Sequence, residues 1–479
     1  MIRIAFGQIK VHPGEPATNF QSMMHAIDYA KAVSTDILIF PELCLSGYMV
    51  GDLWDQVPFV KDCLYYGEEL VKATANTNLT IIFGNIGIDE SLRNLDGSLR
   101  KYNALYVVSK GKLVSNPSQP YPFTIKTLLP CYRYFNEPRY FTSANVVAKE
   151  RNLSLSDINQ PLTLSTRQGS FTIAPVICED SWDTHYPHCP TSLMLESAKM
   201  KGLHIDLVVN CSSSPYTIHK QEQRRALFRS QSKRYSTPIA YANHVGIQNN
   251  GKNICIYDGC STLYDVNGSV VEEVPAFENT VRPTLLKDTL WQPLSNANSE
   301  QRDTSEDSTA LQLSLEHNRC DKNDTYHIQD ATPTYIPTLF KALQYGIRQF
   351  LAQTGIKKIV IGASGGIDSA LNAALYSTVL PPENLYLVNM PSRYNSDMTK
   401  DLAYQLAHNI GCHYGVFPIE EGVNATIAQL EGQTFTKFHQ KTHGYVHDHT
   451  LANDTAIHNS DTDSICEPQQ RTSNLNEQT

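Results

Sequence analysis

The sequence predicts an α/β protein built from more than one domain. Strand-length apolar runs alternate with stretches of helical spacing from the N-terminus onward, a glycine-rich turn at 362–369 sits where an apolar strand hands over to a helix, and a polar stretch at 296–330 interrupts the alternation. At 479 residues the chain is long enough for more than one hydrophobic core. A net charge of −9 and a pI near 6.0 offer no basic stripe for nucleic acid. Mean hydropathy is −0.32 and no apolar run has membrane-spanning length, so no membrane partner is expected. The opening MIRIAFGQIK alternates like a strand instead of carrying the apolar core of a signal peptide, which leads to the expectation of a cytoplasmic protein. The 11 cysteines are scattered without CxxC pairs and fit reduced thiols.

Taken in order, residues 1–10 read as the first strand. Residues 19–33 carry Phe20, Met23, Met24, Ile27 and Ala30 at helical spacing, with Thr18 as the expected cap. The apolar strand 36–40 ends in Pro41-Glu42, and strand ends are where α/β folds place reactive groups. Strand 79–88 follows, then a hairpin of 103–108 and 112–114 turning at Lys110-Gly111. Residues 115–142 show no period but hold Lys126, Tyr132, Glu137 and Arg139 among prolines and aromatics, and so long a loop is expected to be functional. Strand 170–177 runs straight into Cys178. Helical spacing returns at 192–201, strand 205–209 ends in NCSSSPY, a basic helix covers 220–235, and strands at 238–242, 259–265 and 270–274 close this part of the chain.

The stretch 296–330 is rich in Ser, Asn, Asp, Glu and Gln and reads as a disordered linker or insertion. An amphipathic helix at 335–351 then leads into KKIVIGASGGIDSAL at 357–371. Its turn, formed by Gly362, Ala363, Ser364, Gly365, Gly366, Ile367, Asp368 and Ser369, has the makings of an anion site. The glycines let the backbone approach closely, the unpaired N–H groups of a helix start point at the anion, and the two serines add hydroxyl donors. Asp368 beside a phosphate makes sense with a cation between them, which points to Mg²⁺. The Lys-Ser or Lys-Thr ending of a Walker loop is absent, so γ-phosphoryl transfer is not the implied chemistry. A helix at 368–379, strand 384–389, MPSRY, helix 399–410 and strand 415–419 complete a βαβαβ series, which predicts a parallel sheet with the nucleotide at its strand ends.

These strings resemble known families. SGGIDS resembles the pyrophosphate loop of the ATP pyrophosphatases, which adenylylate an oxygen and then displace AMP with a nucleophile. FPELCLSGY around Glu42, IKTLLPCYRYFNEPRYF around Lys126 and VICEDSW around Cys178 resemble the signature segments of the nitrilase, or carbon–nitrogen hydrolase, superfamily. That resemblance implies an αββα sandwich with a catalytic triad of Glu42, Lys126 and Cys178, and Glu137 as a second glutamate holding the lysine. The residue types suit the chemistry, because a thiol that is mostly protonated at neutral pH needs a carboxylate to take its proton and a cation to stabilise developing charge.

A nitrilase-like domain joined to an SGGIDS domain resembles the glutamine-dependent NAD⁺ synthetases, from residue 1 to about 423. The resemblance implies L-glutamine, ATP and deamido-NAD⁺ as substrates, Mg²⁺ as cofactor, a homo-oligomer, and Tyr132, Ser214 and Lys220 as the glutamine-binding residues. It implies domains at 1–280 (glutaminase), 281–333 (polar linker), 334–432 (partial ATP-binding domain) and 433–479 (disordered His-rich tail). The Asn-Leu-Gln-Ala-Arg and Asn-Lys-Ser-Glu strings of the family's synthetase half do not occur here, so an intact glutaminase half and an incomplete synthetase half are expected. Two other readings stay open: an amidase with a non-functional nucleotide domain, and a non-catalytic assembly subunit.

Overall fold

The computed structural model describes residues 1–94, 97–182, 186–249, 251, 253–293 and 335–433. In the first strand, Arg3–Gln8, alternation sends Ile4 and Phe6 to one face and Ala5 to the other, and both faces are buried. Ile4 and Phe6 join Ile37, Ile39, Ile82, Leu105 and Val107 in a core that also contains Phe171, Ile173, Leu207, Val209 and Ala240 from a second sheet. Ala5 instead packs with Met23, Ile27 and Leu70 of the helices Pro16–Ala32 and Val57–Ala73. On the far side, Val176, Val208 and Tyr241 of the second sheet pack against Met194, Ala198 and Phe228 of helices Pro190–Met200 and Lys220–Tyr235. The layers are therefore helices, sheet, sheet, helices: an αββα sandwich.

The first sheet has seven strands, with the order Thr280–Leu285, Arg3–Gln8, Ile37–Ile39, Thr80–Arg93, Leu99–Ser109, Lys112–Leu113, and Thr124–Ile125 pairing Leu99–Ser109. The second has six, with the order Val270–Glu273, Thr262–Tyr264, Ile239–Asn243, Leu207–Ser212, Gly169–Ile177, Leu162–Thr166. Its three central strands run parallel. A hairpin of Val245–Asn249 and Ile254–Asp258 stands beside them.

In the C-terminal part, Ile359–Gly362, Leu385–Asn389 and His413–Val416 form a parallel sheet in chain order. Ala373 of helix Ile367–Ser377 and Ala403 and Ala407 of helix Asp397–Ile410 pack with Leu385 and Leu387 on one face. Right-handed crossovers running in one direction across a sheet place their helices on the same face. The order reversal of a doubly wound sheet is not among the described strands, and Val360 on the opposite face is 68% exposed. Helix Ile336–Thr354 leads into this sheet and packs on the hairpin of the sandwich, with Gly346 against Ile256 and Tyr345 against Phe277 at 5.0 Å. The helix Glu420–Leu430 lies in a separate unit beginning at Pro418.

Several expectations are corrected here. The first helix starts at Pro16, not behind a Thr18 cap, because proline takes the first helical position and Thr18 Oγ1 bonds Glu15 instead. Strand Thr280–Leu285 and the turn Asp288–Trp291 fall where the polar linker is expected to begin; Leu286 and Leu290 are buried against the sandwich, which accounts for the order there. The last strand ends at Val416 rather than Ile419, its register set by pairing with Leu385–Asn389. The expected disordered stretches 296–330 and 433–479 lie outside the described residues, apart from Gln433. No described helix is long and apolar enough to cross a membrane.

Candidate active sites

Three strand ends build the first site. Glu42 follows strand Ile37–Ile39, Cys178 follows Gly169–Ile177, and Ser213 follows Leu207–Ser212, so both sheets contribute. The long loop supplies Lys126 immediately after the short strand Thr124–Ile125. Gly84 makes the approach possible, because a Cβ there would lie 2.2 Å from the backbone nitrogen of Leu43.

Glu42, Lys126 and Glu137 are all buried. Lys126 Nζ donates to Glu42 Oε1 at 2.7 Å and to Glu137 Oε1. Asn103 Nδ2 also donates to Glu42 Oε1 at 2.7 Å, and the Ser213 backbone N–H donates to Glu42 Oε2 at 2.7 Å. The Tyr48 hydroxyl donates to the same oxygen of Glu137 as Lys126 does. Burial opposes the ammonium, but Glu137 and Glu42 hold Lys126 well above the ordinary lysine range. Burial pushes the Glu137 carboxyl up to about 7, against the pull of Lys126 and with the push of Glu42.

Cys178, partly exposed as a residue, lies within reach of the charges of Glu42 and Lys126. Burial and then the Glu42 carboxylate raise its thiol above the ordinary cysteine range, Lys126 opposing. Its backbone is left-handed, at φ 44°, an arrangement that costs a non-glycine residue about 1–3 kcal/mol and gathers at functional turns. Two residues on, the buried Asp180 carboxylate accepts the backbone N–H groups of Thr127 at 3.0 Å and Leu128 at 2.7 Å, tying the nucleophile's turn to the lysine's loop.

Tyr132, Ser214 and Lys220 share one cleft with Cys178, together with Arg133 and Trp182. Tyr132 is 44% exposed and its hydroxyl donates to Glu179 at 3.2 Å. Lys220 Nζ lies 4.0 Å from the centroid of the Trp182 ring, and burial lowers it to about 8. Ser214 is at the wall, but Arg224 engages its hydroxyl at 3.1 Å and its carbonyl at 2.8 Å, while bonding both oxygens of Asp258. Sequence reasoning passed over Asn103, Ser213 and Asp180, although Asp180 lay in plain view within VICEDSW. A buried asparagine in the apolar strand at 103–108 was the other available signal.

The second site is the turn after Ile359–Gly362. Helix Ile367–Ser377 has Gly366 as its N-cap, and Gly365 sits at φ +82° where a Cβ would meet the Thr399 carbonyl oxygen at 2.1 Å. The Ser364 hydroxyl accepts the Gly366 N–H at 3.2 Å, and Ser369 Oγ lies 3.3 Å from it. Ser364, Gly366, Ile367 and Asp368 are exposed, so the helix start is open to a phosphate. No cluster of three or more metal-ligating side chains occurs among the described residues.

The carbon–nitrogen hydrolase family model matches residues 3–289. The chain belongs to the carbon–nitrogen hydrolase family. A second model, NAD synthase, matches residues 339–444. A glutamine-dependent NAD(+) synthetase of Thermotoga maritima is 27% identical over 432 residues, covering 90% of this chain and 67% of that protein. One of Aquifex aeolicus is 26% identical over 437 residues, covering 90% and 68%. The chain thus spans about two thirds of the length of these relatives. The fold is that of the glutamine-dependent NAD+ synthetase from Acinetobacter baumannii solved in complex with ADP, at a TM-score of 0.65 and 23% identity over 90% of this chain and 67% of that one.

Proposed function

We propose that the hydrolase sandwich releases ammonia from L-glutamine, and that the nucleotide region serves the ATP-dependent amidation of deamido-NAD⁺ to NAD⁺ with release of AMP and pyrophosphate. The buried Glu42–Lys126–Glu137 cluster beside Cys178 is the observation that carries this reading. Glu42 takes the thiol proton as Cys178 Sγ attacks the amide carbon. An ammonium has three N–H donors and two of those on Lys126 are committed to carboxylates; the third serves the tetrahedral oxyanion. Collapse breaks the C–N bond, and the nitrogen leaves as ammonia with the proton Glu42 held. Water, deprotonated by Glu42, then cleaves the thioester to free glutamate and restore the thiol.

Glu137 and Tyr48 hold Lys126 in place, and Lys220 with Tyr132 orients the α-carbon end of glutamine. In the second region the turn 362–369 cradles the ATP phosphates. Asp368 fits a Mg²⁺ that takes its other ligands from phosphate and water, since Mg²⁺ is commonly held by one or two carboxylates. Such an ion would neutralise charge on the departing pyrophosphate.

The test is to assay ammonia and NAD⁺ in one tube with L-glutamine, ATP, Mg²⁺ and deamido-NAD⁺, and again without the nucleotides. Ammonia in both tubes, lost in Cys178→Ala, is the expected result for the sandwich, and NAD⁺ in the complete mixture for the nucleotide region. Absence of ammonia from every mixture would overturn the reading.

A further inference from the structure

His244 is a fully buried titratable residue that this mechanism leaves unused. It precedes the strand Val245–Asn249, and Gln248 on that strand is buried as well. Gln248 Oε1 accepts two backbone N–H groups, from Tyr48 at 2.8 Å and Met49 at 2.9 Å. Those two donors settle which end of the amide is which, so the NH₂ end faces His244 Nε2, 3.2 Å away. Nε2 must then accept, which leaves the imidazole proton on Nδ1. A protonated ring would set one donor against another. Burial acts in the same sense, lowering His244 to about 3.

The same Nε2 lies 3.1 Å from Ser213 Oγ, and the ring stacks on Tyr257 at 4.1 Å between centroids. Ser213 has one hydroxyl proton, and because Nε2 accepts, that proton is shared between Nε2 and the Glu42 carbonyl oxygen 2.8 Å away, while the Ser213 backbone N–H bonds the Glu42 carboxylate at 2.7 Å. Gln248 reaches the other carboxylate by a separate route, because it fixes the backbone of Tyr48, whose hydroxyl bonds Glu137. One strand end therefore supports both carboxylates that flank Lys126.

We propose that His244 and Gln248 are positioning residues for glutamine hydrolysis: a neutral imidazole and a backbone-anchored amide that hold Glu42, through Ser213, and Glu137, through Tyr48, in line with Lys126 and Cys178. This rests on the glutaminase reading, and the test separates the two. His244→Leu, His244→Gln and Gln248→Glu are compared with the parent chain in three measurements: kcat and KM for ammonia release, thermal melting, and the rate at which iodoacetamide alkylates Cys178, followed on its own peptide.

His244→Leu should lower kcat about 10- to 100-fold, as small displacements of catalytic groups do, with KM within about twofold and Cys178 alkylation slowed in parallel. His244→Gln keeps a neutral acceptor and should recover most of the loss. Gln248→Glu keeps the acceptor for Tyr48 and Met49 but turns an acceptor toward His244; the ring then takes a proton, and an ionisation near neutral pH enters the kcat profile. An unchanged kcat and alkylation rate in His244→Leu would overturn the proposal, as would a loss that follows the melting temperature and is not recovered in His244→Gln. If no variant and no parent releases ammonia, the glutaminase reading fails, and the alkylation rates still decide whether His244 and Gln248 position the cluster.

Discussion

The two candidate sites are built in opposite ways. In the sandwich, Glu42 at a strand end and Lys126 and Glu137 from one long loop are closed off from solvent and satisfy one another through charge-assisted bonds. In the C-terminal sheet, the candidate phosphate turn is a single run of eight residues at an exposed helix start, beside a sheet with one face uncovered among the described residues. A buried carboxylate–ammonium cluster pays for its desolvation with mutual contacts, so removing one member leaves the others exposed to that cost. An open anion site has no such interdependence. Its binding comes from backbone donors and from the ligand's own charge.

The largest effect expected from this contrast is chemical. Cys178→Ala should reduce ammonia release by at least about a thousandfold while the melting temperature stays near that of the parent, because the proposed mechanism makes the sulfur the nucleophile and Cys178 packs only at the edge of the core. Next is Lys126→Met, which strands two buried carboxylates and should cost about 3–5 kcal/mol of stability in denaturant unfolding as well as activity. If that variant unfolded like the parent, the interdependence drawn above would be wrong.

The open site should answer differently. Gly365→Ala forces a Cβ toward the Thr399 carbonyl and should strain the turn by about 1–3 kcal/mol, read as roughly a tenfold or greater loss of Mg-ATP affinity by calorimetry. The melting of the sandwich should not move. A shared loss of both would show that the regions are energetically one.

The smallest effect is a pH dependence. Lys220 is lowered to about 8, so its ammonium is present below that pH and lost above it. KM for glutamine should therefore rise as pH increases through about 8, and the rise should weaken in Lys220→Arg, whose guanidinium keeps its charge. An identical profile in the two chains would remove Lys220 from glutamine binding.

The same contrast explains what could be read from residues alone. The candidate phosphate turn is local: its glycines, serines and helix start are contiguous in the sequence. Glu42, Lys126 and Cys178 were readable because each sits at a strand end or in an aromatic-rich loop within a recognisable string. The residues that hold them were not. Asn103, Ser213, His244 and Gln248 act through register and sheet packing, and each looks like an ordinary polar residue in its own segment. The hairpin that carries Gln248 escaped notice although Asn250-Gly251 is a strong turn signal. Helix Val57–Ala73 escaped as well, its buried Phe59, Val60, Cys63 and Leu70 lying close behind a proline that reads as a breaker but is tolerated in the first turn.

The central claim is that Cys178, activated by Glu42 and Lys126, is the residue that meets glutamine. The most direct measurement is labelling of the full chain with a chloroketone analogue of L-glutamine, with the modified cysteine located by peptide mass spectrometry. The account predicts a single label on Cys178, slowed by excess L-glutamine and slowed further in Glu42→Gln. A label that spreads to the exposed Cys131 as readily, with no protection by glutamine, would contradict it.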